Sequence, residues 1–189
     1  MLEIRIHGRG GQGNVVAAYL LAAAAIDGGR YAQAFPAFGA ERRGAPVAAF
    51  VRIDEQPIRR RCQVREPMFL IVQDPALMEV PGTLSGLQAS GTVLVDGTEA
   101  AVDASGNNEI IHLPATRLAM EHIGRPVPNT ALLAAFITLT ELVPLSGLID
   151  ALAERFKGPV LEKNRSLVEA AAETVEAGRW REVAHGARA

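Results

Sequence analysis

The stretch His7-Gly8-Arg9-Gly10-Gly11-Gln12-Gly13-Asn14 decides the fold of this chain, because it separates two apolar runs of different character. Residues 2–6 alternate apolar and charged side chains, which is typical of a strand, and residues 15–26 are rich in helix formers. From Gly8 to Gly13 the glycines have the spacing G-x-G-x-x-G, which lets backbone N–H groups approach a phosphate at a helix N-terminus. The stretch therefore predicts a strand, a loop and a helix, with a phosphate-bearing ligand at the loop.

A dinucleotide site is the first interpretation of this spacing, and it needs an acidic residue about 20 residues further on to bind a ribose hydroxyl. No carboxylate is well placed. The strand-like residues 31–35 contain none, Asp27 precedes them in a turn, and Glu41 lies beyond Pro36 in a loop. The sequence therefore disfavours NAD. A second alternative stays open, in which the glycines only make a tight turn between strand and helix.

Beyond the first helix, the hydrophobic pattern predicts a Rossmann-like α/β fold. The runs 68–72 and 92–95 are short and continuously apolar, which suits strands buried on both faces of a parallel sheet. The other predicted strands span 31–35, 47–53 and 109–113, and the other predicted helices span 116–123, 130–142, 147–156 and 159–177. Asn129 and Ser146 are expected to cap two of these helices. We thus expect a mostly parallel sheet flanked by helices, with three helices towards the C-terminal end.

The length of 189 residues suits one domain of this type. We place this domain at residues 1–178 and a C-terminal tail at residues 179–189, because Gly178 fits a helix stop. Trp180 is the only tryptophan, and it either packs back on the domain or contacts a partner.

Composition and charge exclude several classes of function. The net charge of -2 provides no general field for nucleic acid. Cys62 is the only cysteine, so the chain can hold neither an internal disulfide nor its own iron–sulfur cluster. The N-terminus lacks a signal-peptide core, and the apolar helix at 15–26 is too short to span a membrane. We therefore expect a cytoplasmic protein that binds neither nucleic acid nor membrane.

A second stretch, Phe38-Gly39-Ala40-Glu41-Arg42-Arg43-Gly44-Ala45-Pro46, places two arginines between glycines just before a predicted strand. Arginine pairs bind phosphates or carboxylates with planar, bidentate geometry. The basic character continues to Arg65, although the run Arg59-Arg60-Arg61 is as readily explained as a solvated surface. Arg42 and Arg43 are therefore the better candidates for an anion site.

Together, residues 8–13 and 38–44 resemble the gamma subunit of the thiamine-dependent 2-oxoacid:acceptor oxidoreductases, a family that includes the pyruvate and ketoisovalerate ferredoxin oxidoreductases. The resemblance covers most of the chain, since Asn129-Thr130-Ala131-Leu132-Leu133 and Lys163-Asn164 are also similar, although these later motifs are weak. It implies that this chain works beside alpha, beta and ferredoxin-like delta subunits. Those partners hold thiamine diphosphate with magnesium and iron–sulfur clusters.

The resemblance also implies an activity and a site. The complex oxidatively decarboxylates a 2-oxoacid and transfers the acyl group to coenzyme A. Ferredoxin accepts the electrons, or NAD accepts them on another subunit that binds FAD or NAD. In fused relatives the corresponding domain closes over coenzyme A, whose pyrophosphate needs no ribose-binding acid. The expected cofactor-binding residues are Gly8, Arg9, Gly10, Gly11, Gln12, Gly13, Arg42 and Arg43. We expect no catalytic and no metal-binding residue on this chain.

Two alternatives to this interpretation stay open. The chain could be a stand-alone nucleotide- or coenzyme-binding module, or a purely structural subunit whose glycine loop touches only protein. The 2-oxoacid also stays open among pyruvate, branched-chain acids and aromatic ones such as phenylglyoxylate, because partner chains make most of that pocket.

Overall fold

A computed structural model of the protein describes residues 1–37, 44–98 and 108–186. The strands are β1 (Leu2–Arg9), β2 (Tyr31–Pro36), β3 (Pro46–Asp54), β4 (Phe69–Val72), β5 (Thr92–Asp96) and β6 (Glu109–Leu113). The helices are α1 (Asn14–Asp27), α2 (Ala115–His122), α3 (Asn129–Thr140), α4 (Leu145–Arg155), α5 (Gly158–Glu173) and α6 (Arg181–Gly186), and a short 3-10 helix spans Pro75–Glu79. The predicted strands and helices are confirmed, with ends that shift by a few residues.

The strands form one mixed sheet in the order β2-β3-β1-β4-β5-β6. β1, β4, β5 and β6 run parallel to one another, whereas β3 is antiparallel to both β1 and β2. After β1 the chain builds the sheet on one side through β2 and β3, and from β4 onwards it builds the other side. The predicted α/β fold is confirmed, and the strand order creates a switch point between the carboxyl ends of β1 and β4.

The main core lies between one face of the sheet and the helices. Ile4, Ile6, Phe69 and Ile71 are almost fully buried on that face against α1 and α3. Leu70 and Val72, which alternate with the β4 residues just named, belong to a smaller cluster with Leu77 of the 3-10 helix. Successive side chains of β4 therefore lie on opposite faces of the sheet.

The C-terminal residues pack against this core. Trp180 is 1% exposed, lies 6.2 Å from Phe69 between ring centroids, and donates a hydrogen bond from Nε1 to Glu109 Oε2 at 2.7 Å. The prediction that Trp180 packs on its own domain is confirmed. The short helix α6 follows Trp180 and lies within residues 179–189, which the sequence analysis assigned to a C-terminal tail. The domain boundary at residue 178 stays a prediction.

Two predicted helix caps differ from the structure. Asn129 is the first residue of α3 instead of its cap, and its Oδ1 accepts a hydrogen bond from Thr130 N at 2.8 Å. Ser146 lies inside α4, which begins at Leu145 directly after Pro144 and has no side-chain cap. Pro144 stands at the N-cap position with a φ of -61°, and the helix begins two residues earlier than a serine cap at residue 146 would require.

Candidate functional site

The glycine loop is shorter than the sequence suggested, because β1 continues beyond the predicted end at residue 6. Gly8 and Arg9 are still part of the strand and pair with Val47 and Pro46 of β3. The chain then turns sharply, and Gln12 N donates a hydrogen bond to Arg9 O at 3.0 Å. The strand therefore reaches α1 through the four residues 10–13.

Two glycines in this turn have backbone conformations that other residues rarely adopt. Gly11 has a φ of 98° and Gly13 a φ of 82°. Gly13 stands at the N-cap of α1, and its carbonyl accepts the first helical hydrogen bond, from Ala17 N at 2.8 Å. No side chain caps α1. Its first N–H groups and the positive end of the helix dipole are thus left for another partner, which is the arrangement that favours anions.

Close packing explains two of the glycines independently of any ligand. A Cβ on Gly8 would overlap the amide of Asn14, with Cγ at 2.9 Å, and a Cβ on Gly13 would stand 2.7 Å from Asn129 Nδ2. Asn129 is the first residue of α3. The N-terminal turns of α1 and α3 therefore meet at Gly13, which brings the positive ends of two helices close together near the carboxyl end of β1.

The side chains of Arg9 and Gln12 make contacts within the protein. Arg9 Nε pairs with the carboxylate of Asp74, and Arg9 Nη1 donates to Gly44 O at 3.2 Å. Gln12 Oε1 accepts a hydrogen bond from Arg9 N at 2.6 Å. Because Asp74 follows β4, the Arg9–Asp74 ion pair joins the two strands that flank the switch point. The contact of Arg9 and Gln12 with a cofactor stays a prediction.

Sequence reasoning missed Gln73, which lies at the same switch point. Gln73 directly follows β4, and its backbone N–H extends the β1–β4 ladder to His7 O at 2.8 Å. Its side chain is 1% exposed, and neither amide atom has a hydrogen-bond partner among the described residues. The alternation of β4 places it on the face of Ile71, towards α1 and α3. Its one sequence signal is a polar residue immediately after an apolar strand.

His7, beside the loop, is not positively charged at neutral pH. Its Nε2 accepts a hydrogen bond from Arg5 Nε at 2.8 Å. Burial, together with the charge of Arg5, lowers the pKa of His7 to about 4, so the ring is neutral at pH 7. Arg5 in turn donates to Thr83 O and Ser85 O, and burial lowers its pKa as well. His7 is therefore a neutral, packed side chain near the end of β1.

Arg42 and Arg43 lie outside the described residues. The residues that follow them return to the glycine loop, since Gly44 N donates to Gly10 O at 3.3 Å and Gly10 N donates to Ala45 O at 3.0 Å. The second predicted motif therefore ends beside the first.

The two weaker motifs also come together, at a cavity beside α1. Asn129 and Thr130 of α3 and Lys163 and Asn164 of α5 all line this cavity of about 280 Å³. Asn129 connects it to the glycine turn, because it also faces Gly13. Residues that are far apart in sequence thus surround one region at the N-termini of α1 and α3.

The fold and the turn define the class of protein as a Rossmann-like α/β domain with an anion-facing turn at its switch point. The model of the family described as pyruvate ferredoxin/flavodoxin oxidoreductase matches residues 3–174. The pyruvate synthase subunit PorC of Methanothermobacter marburgensis is 47% identical over 176 residues, which cover 93% of this chain and 98% of that relative. The chain belongs to the pyruvate ferredoxin/flavodoxin oxidoreductase family, and the resemblance to its gamma subunits is confirmed.

Two solved structures resemble this fold. The pyruvate oxidoreductase subunit PORC of Thermotoga maritima has a TM-score of 0.80 and 34% identity, covering 91% of this chain and 95% of that chain. The 2-oxoglutarate:ferredoxin oxidoreductase of Magnetococcus marinus, solved with 2-oxoglutarate, coenzyme A and succinyl-CoA bound, has a TM-score of 0.77. Its identity is 21%, and the match covers 93% of this chain but 32% of that longer chain. The second likeness concerns the fold alone.

Among the described residues, no helix combines the length and the apolar character that crossing a membrane requires.

Proposed function

We propose that this chain is the gamma subunit of a 2-oxoacid:acceptor oxidoreductase complex and that its glycine turn binds the pyrophosphate of coenzyme A. The observation that carries this proposal is the meeting of the α1 and α3 N-termini at Gly13, without a side-chain cap on α1. Two helix dipoles and the N–H groups of the first turns favour a doubly charged group there. The position at the β1–β4 switch point is where open α/β sheets bind their ligands.

Coenzyme A fits this site better than NAD does. The site offers helix N-termini for a pyrophosphate, whereas β2 (Tyr31–Pro36) contains no carboxylate that could bind a ribose hydroxyl. The structure of a protein that contains this fold within a longer chain was solved with coenzyme A bound, which agrees with this choice. Arg42 and Arg43 are proposed to add positive charge, because they directly precede Gly44 in the sequence and Gly44 N donates a hydrogen bond to Gly10 O of the turn.

The chemistry in this proposal is shared with partner subunits. The alpha, beta and ferredoxin-like delta chains would hold thiamine diphosphate with magnesium and the iron–sulfur clusters, and ferredoxin, or NAD through FAD on another subunit, would accept the electrons. Thiamine diphosphate would supply the decarboxylation chemistry, the iron–sulfur clusters would take up the two electrons, and the thiol of coenzyme A would accept the acyl group. This chain contributes by holding the coenzyme in position, with its single Cys62 exposed and apart from the turn. We expect the complex to be cytoplasmic.

The test uses the intact complex carrying Arg42→Ala and Arg43→Ala, with Arg117→Ala on the exposed surface of α2 as the matched control. We expect the KM for coenzyme A to rise about tenfold, since each of two ion contacts is lost, while the KM for the 2-oxoacid changes less than twofold. Steady-state rates with each substrate varied in turn measure both values.

A purely structural role of the loop is the competing function, and one observation favours it: Gly8 and Gly13 are both required by packing alone. Unchanged coenzyme A kinetics in the double variant would support that role. Collapse of decarboxylation itself, measured by release of carbon dioxide without coenzyme A, would move the arginines to the thiamine site.

A further inference from the structure

The cavity beside the glycine turn has the composition of a ligand site. Its walls are apolar side chains of α1, the segment before α3, and the region around α5, and they include Val16, Leu20, Val127, Phe156 and Val160. Val160 is 49% exposed, although it is a large apolar residue that faces this cavity. An apolar concavity that remains open on the surface of a soluble domain marks a binding site more often than a defect of packing.

Positive charge stands at this cavity. Arg125 and Lys163 line it and are both exposed, and within the described parts of the chain neither side chain forms a hydrogen bond or an ion pair. Glu162, the neighbouring acid on α5, is engaged by Arg165 at 3.9 Å. The cavity therefore suits a ligand that combines an apolar group with an anionic one.

Polar groups suited to orienting such a ligand lie at the inner end. Asn129, Thr130 and Asn164 are each at least nine-tenths buried and line the same cavity. The amide nitrogen of Asn129 also faces Gly13, so this end is continuous with the anion-facing turn of α1. A ligand in the cavity can thus extend a phosphate towards the turn without leaving the surface of the protein.

Size decides how much of a coenzyme the cavity can take. A volume of about 280 Å³ lies just below the range of ordinary ligand sites, which begins near ~300 Å³, so a ring system fits and a whole coenzyme does not. In the proposed function the thiol end of coenzyme A must reach the partner subunit that holds thiamine. The adenosine end, with its flat ring and its 3′-phosphate, is then the part left for an apolar cavity with two cations.

We infer that this cavity binds the adenosine 3′-phosphate end of coenzyme A, with the ring between α1, α3 and α5 and the 3′-phosphate at Arg125 and Lys163. This inference rests on the proposed function. The pyrophosphate lies at the N-termini of α1 and α3, and the pantetheine arm leaves the chain from there. Asn129 then stands between the ring and the pyrophosphate.

Two variants of the intact complex test the inference. Val160→Trp fills the cavity from its exposed side, with Val80→Trp, on a surface 36% exposed at the end of the 3-10 helix, as the control. The double variant Arg125→Gln and Lys163→Gln removes the charges without altering any described ion pair, with Arg117→Gln as its control. Steady-state rates are measured with coenzyme A and with 3′-dephospho-coenzyme A, and inhibition is measured with adenosine 3′,5′-bisphosphate.

We expect Val160→Trp to raise the KM for coenzyme A about tenfold or more, as loss of one well-packed group does, and to weaken inhibition by the bisphosphate equally. The charge variant should raise the KM for coenzyme A and leave that for the dephospho form unchanged. The KM for the 2-oxoacid should stay constant throughout. The charge variant keeps the test decisive if Val160→Trp does not fold.

The outcomes also separate this inference from the proposed function. If Arg42→Ala and Arg43→Ala raise the KM for coenzyme A while both cavity variants leave it unchanged, the proposed function stands and the inference is wrong. If none of the variants affects coenzyme A, both are wrong. If Val160→Trp prevents assembly of the complex and the charge variant has unchanged kinetics, an apolar side chain of a partner subunit occupies the cavity instead.

Discussion

Replacing Gly13 by alanine tests the closest contact at the site. A non-glycine residue in the left-handed region costs about 1–2 kcal/mol, and the φ of Gly13 is 82°. The added Cβ would stand 2.7 Å from Asn129 Nδ2, so the buried side chain of Asn129 must shift, and forced overpacking of this kind costs about 1–3 kcal/mol more. We expect Gly13→Ala to lower the free energy of unfolding by about 2–5 kcal/mol.

Gly29 provides the matched control, because its φ is 80° and nothing lies within 4 Å of a Cβ placed there. Gly29→Ala should therefore show the conformational cost alone, about 1–2 kcal/mol. Urea unfolding of the purified chain, followed by the fluorescence of Trp180, gives both values. When Asn129→Ala is already present, Gly13→Ala should lower the free energy of unfolding only as much as Gly29→Ala does. Equal losses from the two single variants would refute the contact between the two helix N-termini.

Two further predictions concern residues near the switch point. Asp74→Ala removes both the ion pair with Arg9 and the hydrogen bond that Asp74 Oδ1 accepts from Ala76 N at 3.0 Å, so urea unfolding should show a loss of about 1–2 kcal/mol. Asp74→Asn, which keeps an acceptor for Ala76, should recover part of that loss. The pKa of His7 is lowered to about 4 in the folded chain, so the unfolded chain binds the extra proton first and stability falls as pH drops from about 6.5 towards 4. Urea midpoints across this range should fall less steeply in His7→Gln, and parallel slopes would contradict the assignment.

Local sequence patterns were enough to place most of the fold. The continuous apolar residues of β4 (Phe69–Val72) and the alternating ones of β1 identify strands before any tertiary contact is known. The end of β1 was misplaced because Gly8 and Arg9 are strand residues only through pairing with β3, a contact that local propensity does not contain. The start of α4 was also misplaced, since the helix begins directly after Pro144 and so before the expected cap at Ser146.

The candidate site was predicted only as far as it is local. The glycine spacing identified the turn at the start of α1, since a backbone requirement of that kind is written in adjacent residues. The ion-pair partner of Arg9 is Asp74, which is 65 positions away in the sequence. Gln73 stands out because its side chain is buried, and a local sequence pattern does not predict that burial. The link between Asn129 and Lys163 is likewise tertiary, because α3 and α5 meet only in the folded chain.

The packing of Trp180 has a consequence for how the protein is made. Its indole lies against Phe69 in the centre of the sheet and is tied to Glu109 at the start of the edge strand β6, across 71 positions of sequence. Phe69 and Glu109 are both translated before Trp180, so the ribosome must add residues up to this tryptophan before the core around Phe69 can be completed. Until then the apolar surface at Phe69 lacks the indole that covers it in the folded domain, which is the kind of transiently exposed surface that makes incomplete chains prone to aggregate.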